Sequence, residues 1–175
     1  ANEGFTADAY WKATEDPGDY KDIGLRLPTD NLEGYLFPDT YDLPPMTPPE
    51  GIVRLQLQTF KKRVADTLPK TTNLKRALII ASMVERETLA PDERPLVASV
   101  IYNRLKAGMT LGIDATIRYG LKVPGTEALR QSQLDSNTPH NTPKFPGLPP
   151  PPTGHPRPPP LPPPAPAPAP PDPPL

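Results

Sequence analysis

Apolar residues recur every three or four positions in three stretches of the chain, which is the spacing of helices that bury one face. We expect the first helix to open at a capping box in residues 47–50 and to end before Pro69. The second follows Asn73, and the third follows Asp92 and stops at Gly108. The predicted core positions of the first and third helices are Val53, Leu57, Phe60, Val64, Leu68, Leu96, Val97, Val100, Ile101 and Leu105.

The segments outside these helices are shorter and less regular. Residues 5–14 predict a short helix with Thr6 as its cap, and residues 17–28 are rich in turn-forming residues. Residues 31–41 are aromatic and are expected to be extended, because they contain glycine and proline. Beyond the third helix, residues 110–113 predict an extended piece, Asp114 to Gly120 one or two helical turns capped by Asp114, and residues 126–134 a weak helix.

The second helix places a carboxylate on its apolar face. At about 100° per residue, Glu85 lies between Leu78 and Ala81, Arg86 points to the opposite side, and Glu87 falls at the edge. A carboxyl group that faces a core tends to keep its proton, and a protonated glutamic acid can act as a general acid. The alternative is a partly buried glutamate that is satisfied by an arginine or by backbone donors.

Composition narrows the classes of function. The formal net charge of -1 gives no overall basic field for nucleic acid, and the lack of cysteine excludes thiolate chemistry and disulfides. The two histidines, His140 and His155, both lie in proline-rich sequence, so we expect neither a histidine-based triad nor a metal site, and no cofactor. No apolar run is long enough to predict a membrane span.

Proline is the strongest compositional bias, with 31 of the 175 residues, and it dominates the end of the chain. Residues 158–175 are expected to form a disordered polyproline-II tail, which serves either as a spacer or as a ligand for a proline-binding groove. We therefore divide the chain into an N-terminal lead-in (1–30), a catalytic domain (31–150) and a proline-rich tail (151–175).

Five motifs occur in one order along the middle of the chain, and together they resemble the endolytic murein transglycosylases of the MltG or YceG-like family. The resemblance covers about two-thirds of the chain, from Leu32 to Pro150. The motifs are LEGYLFPDTY (32–41), VERET (84–88), YNRL (102–105), DATIRYG (114–120) and GLPP (147–150).

The resemblance implies a fold and a reaction. It implies a mainly α fold for this chain, with a lysozyme-like helical core and short extended segments, whereas full-length members of the family are α+β. In those members a membrane anchor and a LysM-like part usually precede the catalytic domain. Members of the family cut glycan strands between N-acetylmuramic acid and N-acetylglucosamine and leave 1,6-anhydro ends, which is a lyase reaction. The catalytic glutamate of the family matches Glu85. One carboxyl group suffices for this chemistry, because the muramyl 6-hydroxyl is the internal nucleophile.

The other candidate site residues have alternative interpretations. Asp114 could be a second carboxylate, although a helix cap is the simpler interpretation. Glu87 is interpreted as a structural or supporting residue. Asn103 and Arg104 either bind the substrate or hold the Glu85 helix. The candidate substrate-binding or supporting residues are Glu87, Asn103, Arg104, Asp114, Thr116, Tyr119, Asn141 and Thr142, of which Tyr119, Asn141 and Thr142 suit contact with a saccharide.

The chain departs from the family pattern at His140, where a tyrosine is usual, and at Pro143, and we interpret it as a catalytic region truncated at both ends. The expected function is lytic cleavage of peptidoglycan strands at the extracytoplasmic face of the bacterial membrane. The expected partners are glycan strands and peptidoglycan synthases, with no nucleic acid and with membrane contact only through an anchor missing from this chain. The alternatives are a non-catalytic interaction module and a muramidase that uses water.

Overall fold

Helices provide the regular structure of residues 6–28 and 31–153, which are the residues described by a computed structural model of the chain. Within those ranges there is no β-strand, only an isolated antiparallel bridge between Thr110 and Pro146. The predicted mainly helical class is confirmed, whereas His155 and the predicted polyproline tail lie outside the described residues. The α-helices are α1 (Ala7–Glu15), α2 (Pro49–Arg63), α3 (Leu74–Glu87), α4 (Arg94–Lys106), α5 (Asp114–Leu121) and α6 (Gln131–Leu134), and 3₁₀ turns occupy Pro17–Ile23, Ala65–Thr67 and Pro91–Glu93.

Two predicted helix caps are confirmed, and both are local in sequence. Thr6 Oγ1 accepts a hydrogen bond from Ala9 N at 3.1 Å at the start of α1. Asn73 Oδ1 accepts one from Arg76 N at 3.0 Å at the start of α3. These bonds satisfy amide donors that the first helical turn leaves unpaired.

The predicted limits of the first long helix are wrong at both ends. The Thr47 hydroxyl donates to the Pro44 carbonyl at 2.7 Å, so it does not cap α2, which begins at Pro49. At the other end α2 stops at Arg63 and passes into a 3₁₀ turn. Val64 is buried and Leu68 is partly buried against the same core. The predicted core positions were therefore right beyond Arg63, although the backbone there is no longer α-helical.

Three later predictions also need correction. Asp92 lies inside a 3₁₀ turn and does not cap α4, which begins at Arg94. Asp114 is the first residue of α5 and makes no capping hydrogen bond, because Ile113 occupies the cap position. The last weak helix is confined to Gln131–Leu134, so residues 126–130 are not helical.

Two clusters of buried side chains form the interior, and α3 contributes to both. Leu78 belongs to the first cluster, and the residues that follow it on α3 belong to the second. Leu96 and Val100 of α4, predicted to be buried, are 68% and 45% exposed, because α4 packs through Ala98 and Ile101. The N-terminal core consists of Ala13, Tyr20, Leu32, Tyr35, Leu36, Phe37, Val53, Leu57, Phe60, Val64 and Leu78, and the C-terminal core of Ile79, Ile80, Met83, Val84, Ala98, Ile101, Leu111 and Ile113.

Packing continues across both predicted domain boundaries. Leu32 N donates to the Thr14 carbonyl at 3.1 Å, which joins the lead-in to the following segment. At the other boundary Thr153 is fully buried, and its amide donates to Ser82 Oγ on α3 at 2.9 Å. The two hydroxyls lie 3.2 Å apart. Among the helices that the structure describes, none has the length and hydropathy needed to cross a bilayer.

Candidate active site

Glu85 lies in the last turn of α3 and contacts an arginine at the start of α4. The helix ends where the amide and hydroxyl of Thr88 both donate to the Val84 carbonyl. The chain then turns through Pro91–Glu93 and brings back Arg94, whose Nη2 lies 2.9 Å from Glu85 Oε2. The Glu85 and Arg94 side chains are 27% and 19% exposed, so this ion pair is largely sheltered. An arginine partner was one of the alternatives for a glutamate on this face.

Arg94 was missed by sequence reasoning, and it has a further unusual property. Its Nε atom is buried and has no hydrogen-bond partner among the described residues. A buried donor without a partner is destabilising, and such groups are rare in folded proteins. The 3₁₀ turn that brings Arg94 to Glu85 was not predicted, which explains why the pair was missed.

Glu87 and Asp114, at the junction of α3 and α5, lie close enough for their charges to interact. The side chain of Glu87 reaches the surface, yet partial burial of its carboxyl group raises its pKa. The nearby negative charge of Asp114 is the second cause of the raised pKa. Asp114 is exposed in the first turn of α5, where the helix dipole favours a negative charge.

Thr116 and Thr142 join α5 to the loop that follows α6. Thr142 Oγ1 accepts a hydrogen bond from Ile113 N at 3.1 Å and lies 2.9 Å from Thr116 Oγ1. Thr116 Oγ1 donates to the Ile113 carbonyl at 2.7 Å. Both threonines are almost fully buried, so they are placed to support this region and not to touch a saccharide.

Asn141 also has a supporting position. Its Nδ2 donates to the carbonyls of Leu134 and Ser136 at 2.7 and 2.8 Å, and its Oδ1 accepts from Lys144 N at 3.2 Å. The side chain is fully buried. The suggested saccharide contact by Asn141 is therefore not available in this arrangement, in which the amide shapes the loop.

Arg104 holds the segment after α4, which differs from both roles considered for it. Its Nη1 donates to the Leu111 carbonyl at 2.7 Å. Gly112, with φ of 70°, allows this approach, since an added Cβ would lie 3.1 Å from Arg104 Nη1. Asn103 is exposed on α4.

Tyr119 connects α5 to two distant parts of the chain. Its hydroxyl donates to the Glu33 carboxylate in a short hydrogen bond, and its ring lies 5.3 Å from the His140 ring. Burial lowers the pKa of His140, an effect that the Glu33 charge opposes. His140 Nε2 is buried and has no hydrogen-bond partner in the described part of the chain. The structure therefore brings together Tyr119 with Glu33 and His140, which were not predicted as site residues.

A cavity of about 480 Å³ lies between the end of α3, α5 and the His140 loop. Arg86, Arg118 and Lys122 supply positive charge to its wall, and no acidic side chain lines it. Glu85 does not line it either, although Arg86 is the next residue on α3. The lining residues are Arg86, Ala115, Arg118, Tyr119, Gly120, Lys122, Val123, Gly125 and His140.

The arrangement is suited to acid–base chemistry by one carboxyl group beside an arginine, next to a basic cavity. Among the residues described, no group of three or more histidine, aspartate or glutamate side chains is placed to hold a metal ion. Glu85 is a sheltered carboxyl group with a defined charged partner.

Known proteins resemble this chain in both sequence and fold. Endolytic murein transglycosylase from Streptococcus pneumoniae is 35% identical over 144 residues, which are 78% of this chain and 26% of the relative. The Bacillus subtilis protein of the same name is 34% identical over 126 residues, which are 69% of this chain and 35% of the relative. The chain thus spans about a quarter to a third of the length of these relatives.

The structural comparison agrees with the sequence comparison. The crystal structure of a YceG-like protein from Listeria monocytogenes matches with a TM-score of 0.73 and 27% identity, over 88% of this chain and 55% of that one. A sequence model of the YceG-like family matches residues 1–160. The chain therefore belongs to the YceG-like family.

Proposed function

We propose that this chain is the catalytic region of a peptidoglycan lytic transglycosylase that cuts within glycan strands, with Glu85 as general acid and then general base. The names of the Streptococcus and Bacillus relatives support the reaction class. The observation that best supports the role of Glu85 is the sheltered position of its side chain at the second residue of VERET, where Arg94 contacts the carboxyl group. The cut bond lies between N-acetylmuramic acid and N-acetylglucosamine.

The proposed reaction needs one carboxyl group and no water. Glu85 donates its proton to the glycosidic oxygen as the bond to muramyl C1 breaks. The 6-hydroxyl of the same muramyl residue attacks C1, and the Glu85 carboxylate removes the proton of that hydroxyl. The product ends in a 1,6-anhydro ring, and Glu85 is protonated again. Because the nucleophile belongs to the same sugar, its orientation costs little entropy, and a second catalytic carboxylate is not required.

Arg94 is proposed to stabilise the carboxylate that remains after the first proton transfer. A guanidinium in hydrogen-bond contact favours the charged form of its partner. The contact must therefore loosen while Glu85 holds its proton and close again once the proton has moved.

Glu85→Gln tests the proposal, since the amide keeps the shape of the side chain and cannot transfer the proton. We expect the rate of strand cleavage to fall at least a hundredfold, the lower end of what general acid–base catalysis contributes. Thermal unfolding should change little. Glu50→Gln, on the exposed side of α2, is the matched control and should cleave at the wild-type rate.

Mass spectrometry of the products completes this test. Anhydro ends on the new strands are expected. Reducing ends would mean that water is the nucleophile, and cleavage by Glu85→Gln within a few-fold of wild type would remove Glu85 from the reaction. The proposed place of action is the cell wall outside the membrane, where the glycan strands are.

A further inference from the structure

The basic cavity beside α5 has the properties of a binding site for an anionic ligand. We propose that it binds a carboxylate of the peptide stem that muramic acid carries, and this inference rests on the proposed function. Its volume of about 480 Å³ lies within the usual range for small-molecule sites, about 300–1,000 Å³. Three cationic side chains and no acidic one line it. The three cations of such a wall attract a carboxylate, although the Glu33 charge also reaches His140 in the same wall.

The cations of the cavity are placed for a ligand. Arg118 is fixed in position, because its Nη1 donates to the carbonyls of Pro124 and Glu127 at 3.0 and 2.6 Å. The side chains of Arg86 and Lys122 make no ion pair with any residue that the structure describes. Arginine and lysine that lack an acidic partner can bind a carboxylate without first breaking another ion pair.

The other lining residues of the cavity suit a peptide better than a bare inorganic anion. The rings of Tyr119 and His140 and the side chains of Ala115 and Val123 contribute apolar and aromatic surface. His140 Nε2 is buried without a partner among the described residues, and a peptide group could satisfy it. Gly120 permits this wall, because an added Cβ would lie 2.7 Å from His140 Cβ.

The cavity is also within reach of a strand held at Glu85. Arg86 follows Glu85 directly, and successive side chains on a helix diverge by about 100°. A stem on a strand at Glu85 therefore needs only to pass around the side of α3 to reach Arg86. Two or three extended stem residues span roughly 7–10 Å, which is enough to pass from one face of a helix to the next.

Equilibrium binding of small muropeptides to the full chain tests this inference. The probes are the disaccharide GlcNAc–MurNAc with a tripeptide stem, the same compound with its stem carboxyls converted to amides, and the disaccharide without a stem. None contains the bond that the proposed reaction breaks, so binding is measured without cleavage. A protein that failed to cleave strands could still show the predicted preference, which separates failure of this inference from failure of the proposed function.

The variants are chosen to conserve net charge between test and control. The test protein carries Arg86→Gln and Lys122→Gln, and the control carries Arg76→Gln on the same helix and Lys62→Gln on α2, both exposed positions outside the cavity. We expect the wild type and the control to bind the acid stem about tenfold more tightly than its amide, as for one hydrogen-bonded charge. The test protein should lose that preference.

Two results would overturn the inference. One is equal affinity of the wild type for the acid and the amide, including no measurable binding of either. The other is an acid preference that survives in the Arg86→Gln, Lys122→Gln protein. Because both side chains are exposed and lack ion-pair partners in the described structure, their replacement should leave the melting temperature unchanged, which circular dichroism checks.

Discussion

The polar side-chain atoms near the two cores of this protein differ in whether they have hydrogen-bond partners. Around the N-terminal core, tyrosine hydroxyls donate to nearby acceptors: Tyr20 to the Ala13 carbonyl at 2.9 Å and Tyr10 to Gln56 at 2.7 Å. Around the C-terminal core, buried side-chain polar atoms without a partner occur, and no such side-chain atom occurs before residue 94 in the described chain. These atoms are Arg94 Nε, Ser136 Oγ and His140 Nε2.

This difference marks positions where a water molecule or a ligand atom could complete the hydrogen bonding. An unpaired buried polar group costs about 1–3 kcal/mol, so a region that retains several is less stable than its packing would allow. Two of the three atoms belong to the Glu85 partner and to the wall of the basic cavity. Under the proposed function, the N-terminal core is the scaffold and the C-terminal core is the part next to which the substrate binds.

Leu57→Ala should give the largest effect and should act on stability alone. Leu57 is 0% exposed in the N-terminal core, so its truncation leaves a cavity and should lower the free energy of unfolding by about 3 kcal/mol. Urea unfolding measures the loss. Cleavage per folded molecule should match the wild type, and Gln58→Ala, exposed on the same helix, should change neither. A lower cleavage rate per folded Leu57→Ala molecule would break the distinction between scaffold and site.

Thr142→Val should destabilise the C-terminal core by about 2 kcal/mol. Valine keeps the shape but leaves the buried Ile113 amide without its acceptor. Thr59→Val is the matched control, because the Thr59 hydroxyl only donates to the Leu55 carbonyl within α2. Equal urea midpoints for the two variants would mean that the threonine network does not support this core.

Arg94→Gln should act on catalysis more than on stability. The variant removes the charged partner of Glu85, and we expect kcat to fall about tenfold, or about 1.4 kcal/mol, with little change in KM. Arg94→Lys retains the charge and should recover part of the lost rate. A purely structural role would instead lower the melting temperature of both variants and leave kcat per folded molecule unchanged.

The smallest effect should be a dependence of stability on pH from His140. Its pKa is lowered by burial, so near the usual value of about 6.5 the folded state binds fewer protons than the unfolded chain. This contribution is present above about pH 6.5 and is lost as pH falls through the lowered pKa. Melting temperatures should therefore drop towards acid pH, and His140→Asn should flatten that part of the profile.

Glu87 should change the pH dependence of the melting temperature in the opposite direction. Its pKa is raised above 4.5, so its contribution is present below that pH and lost as pH rises through the raised value. Glu87→Gln should therefore improve stability at neutral pH relative to wild type. An identical pH profile for the His140→Asn and wild-type proteins would contradict the lowered pKa of His140.

Local signals in the sequence predicted the fold better than they predicted the site. Thr6 and Asn73 were recognised as caps because each bonds an amide three residues away. Thr47 also lies at the expected cap position, but its hydroxyl donates to the Pro44 carbonyl instead of capping the helix. Apolar spacing also predicted α3, but it placed Glu85 towards the core, whereas Ala77, Ala81 and Glu85 lie on a partly exposed side of that helix.

The partners of the site residues depend on tertiary structure and were missed for that reason. Arg94 reaches Glu85 through an unpredicted turn, and Glu33 meets Tyr119 across 86 residues of sequence. Composition could not distinguish Asn141, a buried support for its loop, from a ligand-binding amide. Burial and pairing are set by packing among segments, and residue types alone do not define them.

The bonds between Thr153 and Ser82 have a practical consequence for anyone who re-engineers this chain. They attach the proline-rich segment 146–153 to α3 at Ser82, about one helical turn before Glu85. A shortened version that ends before Thr153 would leave α3 without these hydrogen bonds. Affinity tags, fluorophores and fused domains are best joined downstream of Thr153.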